Sequence, residues 1–359
     1  MLDYSLWIIF GLFVGVAMAV DLGALGMLRS RRLRSKEPST GKEKQEKEKR
    51  GSGSSTFRQA LAWTIVWISL AVVFAGIIYT TSGYSGFLEF VTGYALEKSL
   101  SVDNMFVFII VFSSLGIPHQ YQHRVLSVGI ISAIAMRIPL IIAGASLLEN
   151  FHWMMYVFGA FLVVTAVRMA IQRKETEKID IERNVAVRLL KKFIPLTPQL
   201  HENKFLVRLA GGALYATPLL VALVIVEMTD LVFAIDSIPA VLAITTDPFI
   251  VITSNVFAIL GLRSLYFLLA GMMERFYYLK PALVALLMFI GAKMLVSEVF
   301  KIPVEISLAV IFAILGIALG LSALKTKMAD NNHDSNNHNN SKVTLHGQDS
   351  RKLEEDGET

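Results

Sequence analysis

The sequence contains no cysteine. That absence removes disulfide frameworks, thiolate zinc sites, iron–sulfur clusters and a cysteine nucleophile. Charge is scarce as well: Asp, Glu, Lys and Arg make up 18% of 359 residues, against about a quarter in soluble domains. No histidine lies well inside an apolar stretch, because His119, His123, His152 and His201 fall in loops or at edges. Haem ligation and an imidazole proton relay are therefore not expected. There is no Walker A sequence and no nucleophile–base constellation, so neither ATP hydrolysis nor another enzyme activity is expected, and no cofactor. What the chain has in excess is apolar residues, 54% of the total, with a mean hydropathy of +0.56. They form far more stretches of about 20 residues than a signal peptide and a soluble domain require. The expected fold is all-α, a polytopic membrane protein.

Nine apolar segments read as spans: 5–28, 60–81, 87–113, 124–148, 153–172, 213–243, 249–272, 281–299 and 303–323. The first carries Asp21 and runs into Arg29-Ser30-Arg31-Arg32 rather than a small-residue cleavage site, so it reads as a retained helix. Residues 29–58 hold 11 Lys/Arg against 4 Asp/Glu, and residues 173–208 hold 9 against 5. The linkers 82–86, 149–152 and 244–248 carry no Lys or Arg. The net charge of +5 is thus an orientation signal and not a nucleic-acid footprint. Basic loops inside and nine spans place the N-terminus outside and the C-terminus in the cytoplasm. The organisation expected is a first helix (1–28), a basic cytoplasmic linker (29–58), a membrane core (59–325) and a disordered cytoplasmic tail (326–359). Residues 36–56 read as a flexible charged linker, and the tail is Asn-rich with His333, His338 and His346. Segment 175–193 reads as a short surface helix, either touching anionic lipid or simply solvated.

The core contains a repeat. Glu97-Lys-Ser-Leu-Ser-Val-Asp103-Asn104 is echoed by Asp230-Leu-Val-Phe-Ala-Ile-Asp236-Ser237. The next span of each half carries an arginine, Arg137 and Arg263, and the one after carries Phe158-Gly159-Ala160 and Ile290-Gly291-Ala292. Three matches in one order define repeat one (84–172) and repeat two (213–299), separated by loop 173–212 and followed by a last helix (303–323). A three-span unit makes its adjacent copy enter the membrane from the opposite face. That is the inverted topology of secondary transporters, whose sites lie at mid-bilayer between the repeats.

Six acids lie within the spans: Asp21, Glu97, Asp103, Glu227, Asp230 and Asp236. Each costs at least ~2.5–3.5 kcal/mol unpaired at the bilayer centre. The candidate counter-charges Lys98, Arg137, Arg263 and Lys293 leave a deficit of two, the charge of one divalent cation. Glu227 and Asp230 share a helix face. Asp236 stands about 120° from Asp230 on a regular helix, so convergence of all these acids requires unwinding, for which Pro239 and the Ser99/Ser101 pair offer places. The metal site expected is Glu97, Asp103, Asn104, Glu227, Asp230, Asp236 and Ser237, with Asp21, Arg137, Arg263 and Lys293 as secondary candidates. These oxygen ligands suit Mg²⁺, Ca²⁺ or Mn²⁺ and disfavour Cu⁺ and Zn²⁺. Met105 and Met228 flank the acids, either as weak Mn²⁺ preference or as plain helix packing.

These residues carry a resemblance. Glu97…Ser101-Val102-Asp103-Asn104 and Val226-Glu227-Met-Thr-Asp230…Phe233-Ala234-Ile-Asp236-Ser237-Ile-Pro239-Ala240 resemble the TerC family, named for tellurite resistance, and its nine-span, Alx-like branch. The resemblance covers residues 5–325. It implies a bacterial inner-membrane protein and Mn²⁺ export within the LysE-like transporter grouping. It also implies ligand roles for Glu97, Asp103, Glu227, Asp230 and Asp236. The basic insert at 29–58 departs from the pattern. Membrane lipid and a divalent cation are the expected partners, and nucleic acid is not. The competing reading is a membrane scaffold or tellurite-resistance factor whose buried acids are structural.

Overall fold

A computed structural model describes residues 6–19, 42–171, 185–208, 212–270, 278–297, 299–300, 302–322 and 324–325. Asp21, the tail 326–359 and residues 175–184 of the expected surface helix lie outside the described residues. The helices are α1 (Leu6–Ala19), α2 (Lys42–Ser114), α3 (His119–Asn150), α4 (Met154–Ile171), α5 (Val185–Phe193), α6 (Pro218–Leu242), α7 (Pro248–Ile259), α8 (Leu262–Ala270), α9 (Leu279–Val296) and α10 (Val304–Ser322). Five candidate membrane spans are long and apolar enough by length and composition, and six if the bent pair α7–α8 is one. One candidate, Phe57–Ser114, has 58 residues, about 87 Å of straight helix, nearly three hydrocarbon cores. Gly83 breaks it with a non-helical φ of 74° and ψ of −168°. The pieces are α2a (residues 42–82) and α2b (84–114).

Residues 36–56 were expected to be a flexible linker, yet helix begins at Lys42.

The helices are apolar around most of their circumference, as lipid demands. Val72, Val164, Val232 and Ile317 are exposed, while Glu97, Arg137, Asp230 and Asn255 are buried. Three helix pairings organise the interior. Helices α3 and α6 run parallel: Ser132 meets Glu227, Arg137 meets Asp230, and Gly144 faces Ile238 and Leu242. Helices α2b and α7 also run parallel, with Gly86 against Ile250, Gly93 against Ser254 and Lys98 against Ala258. Helices α4 and α9 are antiparallel and close, because a Cβ on Gly159 would stand 3.0 Å from the Gly291 carbonyl, and one on Gly291 2.9 Å from that of Gly159. An aromatic cluster of Phe10, Phe74, Phe90 and Phe257 fixes α1 and α2a onto α7. A second apolar cluster surrounds Phe112, Leu219 and Tyr266. Val102 and Ile134 pack against both, so the buried charges sit between two greasy blocks.

The interior helix break falls where no unwinding was expected. Helix α6 continues through Pro239, and α2b continues through Ser99 and Ser101. The chain instead bends by 40° between α7 and α8, at Gly261, whose φ is +85°. A Cβ there would lie 2.7 Å from the Trp67 ring, so conformation and space both require glycine. The bend robs the end of α7 of helical donors, and the Lys98 ammonium donates to the Ala258 carbonyl at 3.1 Å. A cation bonded to the last carbonyls of a helix is favoured by its dipole too.

The segment between α4 and α6 is not purely irregular. Strands β1 (Leu206–Arg208) and β2 (Leu214–Ala216) pair antiparallel, Leu206 opposite Ala216. Helix α5 buries Ala186 and Val187 and exposes Val185, Leu189 and Phe193.

Candidate functional site

Four helices each contribute one buried polar side chain to a single cluster. Arg137, from the middle of α3, is 2% exposed, Glu97 of α2b 1%, Asp230 of α6 4% and Asn255 of α7 0%. Arg137 Nε donates to Asp230 Oδ2 at 3.1 Å and Nη2 to Asp230 Oδ1 at 2.9 Å. This two-point contact uses the planar fork of the guanidinium. Arg137 Nη1 donates to Glu97 Oε1 and, at 3.1 Å, to Asn255 Oδ1. Asn255 is held in turn by its amide, which donates to the Val251 carbonyl at 3.2 Å. The guanidinium therefore neutralises one of two carboxylates, and the cluster carries a net charge of −1 when all its groups are ionised.

Not every oxygen in this region is satisfied. Glu97 Oε2, Ser101 Oγ and Ser237 Oγ are buried without a hydrogen-bond partner among the described residues. Ser101 and Asn104 follow Glu97 by four and seven residues, which returns them to within about 40° of its face. Ser237 follows Asp230 by seven and shares its face in the same way. Ser101, Asn104 and Ser237 are all buried. Buried orphan oxygens are rare and demand an explanation.

Other described candidates contact different residues. Glu227 accepts from Ser132 Oγ at 2.5 Å, and its Oε2 is buried without a partner among the described residues. Asp236 meets Thr165 of α4 at 3.3 Å. Its helix stays regular, so the 120° offset turns it away from Asp230 and toward a different neighbour. Arg263 stands past the bend on α8 and donates to Ser127 Oγ at 3.3 Å. Lys293 is half-buried on α9. The side chain of Asp103 and all of Asp21 lie outside the described residues. Among the described residues no three His, Asp or Glu side chains gather in a group that could hold a metal ion. Among the described acids, Glu97 and Asp230 converge on Arg137, while Glu227 and Asp236 contact other side chains.

Asn255 was missed, and its position explains why. The polar run Thr253-Ser254-Asn255 inside the apolar segment 249–272 was the available signal. An uncharged side chain carries little weight there until a partner is known.

The fold and this cluster define a helical integral membrane protein with a buried ionic cluster shared by four helices. Comparison of the sequence with known families gives a match to the integral membrane protein TerC family over residues 82–330. The chain belongs to that family. An uncharacterized membrane protein of Myxococcus xanthus is 49% identical over 273 residues, 76% of this chain and 85% of that one. A protein of Escherichia coli named "Putative membrane-bound redox modulator Alx" is 41% identical over 326 residues, 89% of this chain and 94% of that one. A protein of the same name in Salmonella typhi is 46% identical over 279 residues, 76% of this chain and 86% of that one. No solved structure matches.

Proposed function

We propose that this protein is a secondary transporter that exports a hard divalent cation, Mn²⁺ first among the candidates, from the cytoplasm across the bacterial inner membrane. The single observation that carries this reading is the meeting of Glu97 and Asp230. These carboxylates occupy matched positions of the two repeats, come from different halves of the core, and reach one buried group. Glu97 Oε2 is a spare oxygen at the cluster itself, with Ser101 Oγ about 6 Å further along α2b and Ser237 Oγ about 10 Å from Asp230 along α6; oxygen is the chemistry a hard cation prefers. Structural glue alone does not call for unsatisfied donors.

The helix pairings support the inverted repeat. Exchanging α2b with α6, α3 with α7–α8 and α4 with α9 converts the pair α3–α6 into α7–α2b, which is also present, also parallel. It maps α4–α9 onto itself, with Gly159 and Gly291 facing one another. Rocking of one triplet against the other around such an axis exposes a central site to each side in turn. The basic loops support an N-terminus outside and a C-terminus inside.

The relatives' name points to redox chemistry. This chain has no cysteine, so thiol exchange within it is excluded. The competing reading, a scaffold or tellurite-resistance factor with structural acids, makes a different prediction. On the transport reading, Glu97→Gln and Asp230→Asn abolish Mn²⁺ tolerance in cells that depend on the protein, with membrane abundance unchanged. Full tolerance in both variants, and loss only on deletion of residues 36–56, contradicts it.

A further inference from the structure

We infer that Arg137 is a tethered counter-cation that the transported ion displaces, and that Glu227 is the acceptor that receives its guanidinium. The inference rests on the transport reading and deepens it by assigning Arg137 and Glu227 their parts in it.

Charge and geometry argue for displacement. A divalent cation between Glu97 and Asp230 balances both carboxylates. Leaving Arg137 in place as well gives that region an excess positive charge in a low-dielectric setting, where uncompensated charge is costly. Arg137 also occupies both oxygens of Asp230 and one of Glu97, which are the oxygens a cation needs. The two positive groups compete for the same ligands.

A displaced guanidinium must then find another acceptor, and one stands one helical turn away. Glu227 precedes Asp230 by three residues on the same face of α6, about 4.5 Å along its axis. It faces Ser132, five residues before Arg137 on the parallel helix α3. Its Oε2 is buried and lacks a partner among the described residues. With the ion on Glu97 and Asp230 and Arg137 on Glu227, three ionised carboxylates are matched by three positive charges. With the ion gone, Arg137 falls back between Glu97 and Asp230, so these two acids are not both left bare, while Glu227 keeps the Ser132 hydroxyl.

Apparent affinity falls by the fraction of molecules in which the competitor is out of the way. The test is the Mn²⁺ dissociation constant of the full-length protein in detergent, titrated with MnCl₂. Arg137→Gln is expected to bind about ten-fold tighter than the native chain, as removal of a competitor engaged in nine molecules of ten requires. Arg137→Lys, which keeps a charge but cannot bond Asp230 at two points, serves as the background where Arg137→Gln does not accumulate, and also binds tighter. Glu227→Gln is expected to weaken binding about ten-fold in the native background and to have no effect once Arg137 is replaced. Equal or weaker binding by the Arg137 variants overturns the inference. So does a Glu227→Gln effect that persists in their background, since that makes Glu227 a direct ligand. A native chain that neither binds Mn²⁺ nor moves it overturns the transport reading itself, a result distinct from either of these.

Discussion

At the scale of single residues, the cluster is unequal in what its members cost to remove. Arg137 holds two buried carboxylates, so Arg137→Gln leaves both uncompensated. Breaking a buried pair in this way costs on the order of 3–5 kcal/mol. The neutral swaps Glu97→Gln and Asp230→Asn instead leave one acid opposite the arginine, a balanced pair. In chelator, thermal unfolding is expected to show a large loss for the arginine variant and a small one for each acid swap; equal losses would contradict this charge account. Ser132→Ala removes the 2.5 Å hydroxyl donor of Glu227. It is expected to cost about 1.5–3 kcal/mol by the same measurement if the carboxylate is ionised. The acids and Arg137 were legible in the sequence because charge inside an apolar run is conspicuous. Which acid would meet which base was not, because that depends on rotations between helices that local spacing does not set. Helical spacing did contain the answer for Ser101, Asn104 and Ser237, which fall on the faces of Glu97 and Asp230. It also contained the answer for Asp236, which a regular helix turns away. The expectation of unwinding overrode it.

At the scale of elements, the bends are the informative features. Gly83 and Gly261 look like any other glycines in apolar sequence, and proline drew attention first. Yet α6 accommodates Pro239, while Gly261 makes the bend between α7 and α8, because only there do a positive φ and a crossing ring coincide. Gly261→Ala is expected to cost about 1–2 kcal/mol for the backbone alone, with a further loss from Trp67. A double-mutant cycle with Trp67→Leu measures the second part, and the combined loss should fall below the sum of the single losses. Strict additivity would mean that the ring does not set the bend. Lys98→Met removes the donor to the Ala258 carbonyl and is expected to cost about 1–3 kcal/mol, the penalty of one orphaned buried acceptor. By sequence the lysine is a candidate counter-charge to the buried acids; the bond it makes is to backbone, made available by a bend that no local pattern announced.

At the scale of the whole molecule, the apolar segments and the helical class followed from composition, because a bilayer forces backbone polar groups into helices. Charge in the loops predicts orientation. The absence of cysteine makes this simple to test, since any thiol introduced is the only one present. In right-side-out vesicles, Asn150→Cys is expected to react with a membrane-impermeant maleimide, and Lys192→Cys only after permeabilisation. The reverse pattern would invert the proposed topology and, with it, the direction assigned to transport.

The central claim is that carboxylates from both halves of the core carry a cation through the membrane. Proteoliposome flux measured in parallel for Mn²⁺, Mg²⁺, Ca²⁺ and Zn²⁺ tests it most directly. The account predicts saturable Mn²⁺ movement by the native protein, abolished by Glu97→Gln and by Asp230→Asn at equal reconstitution. Native flux no greater than that of empty liposomes, or flux that both variants retain in full, would contradict it.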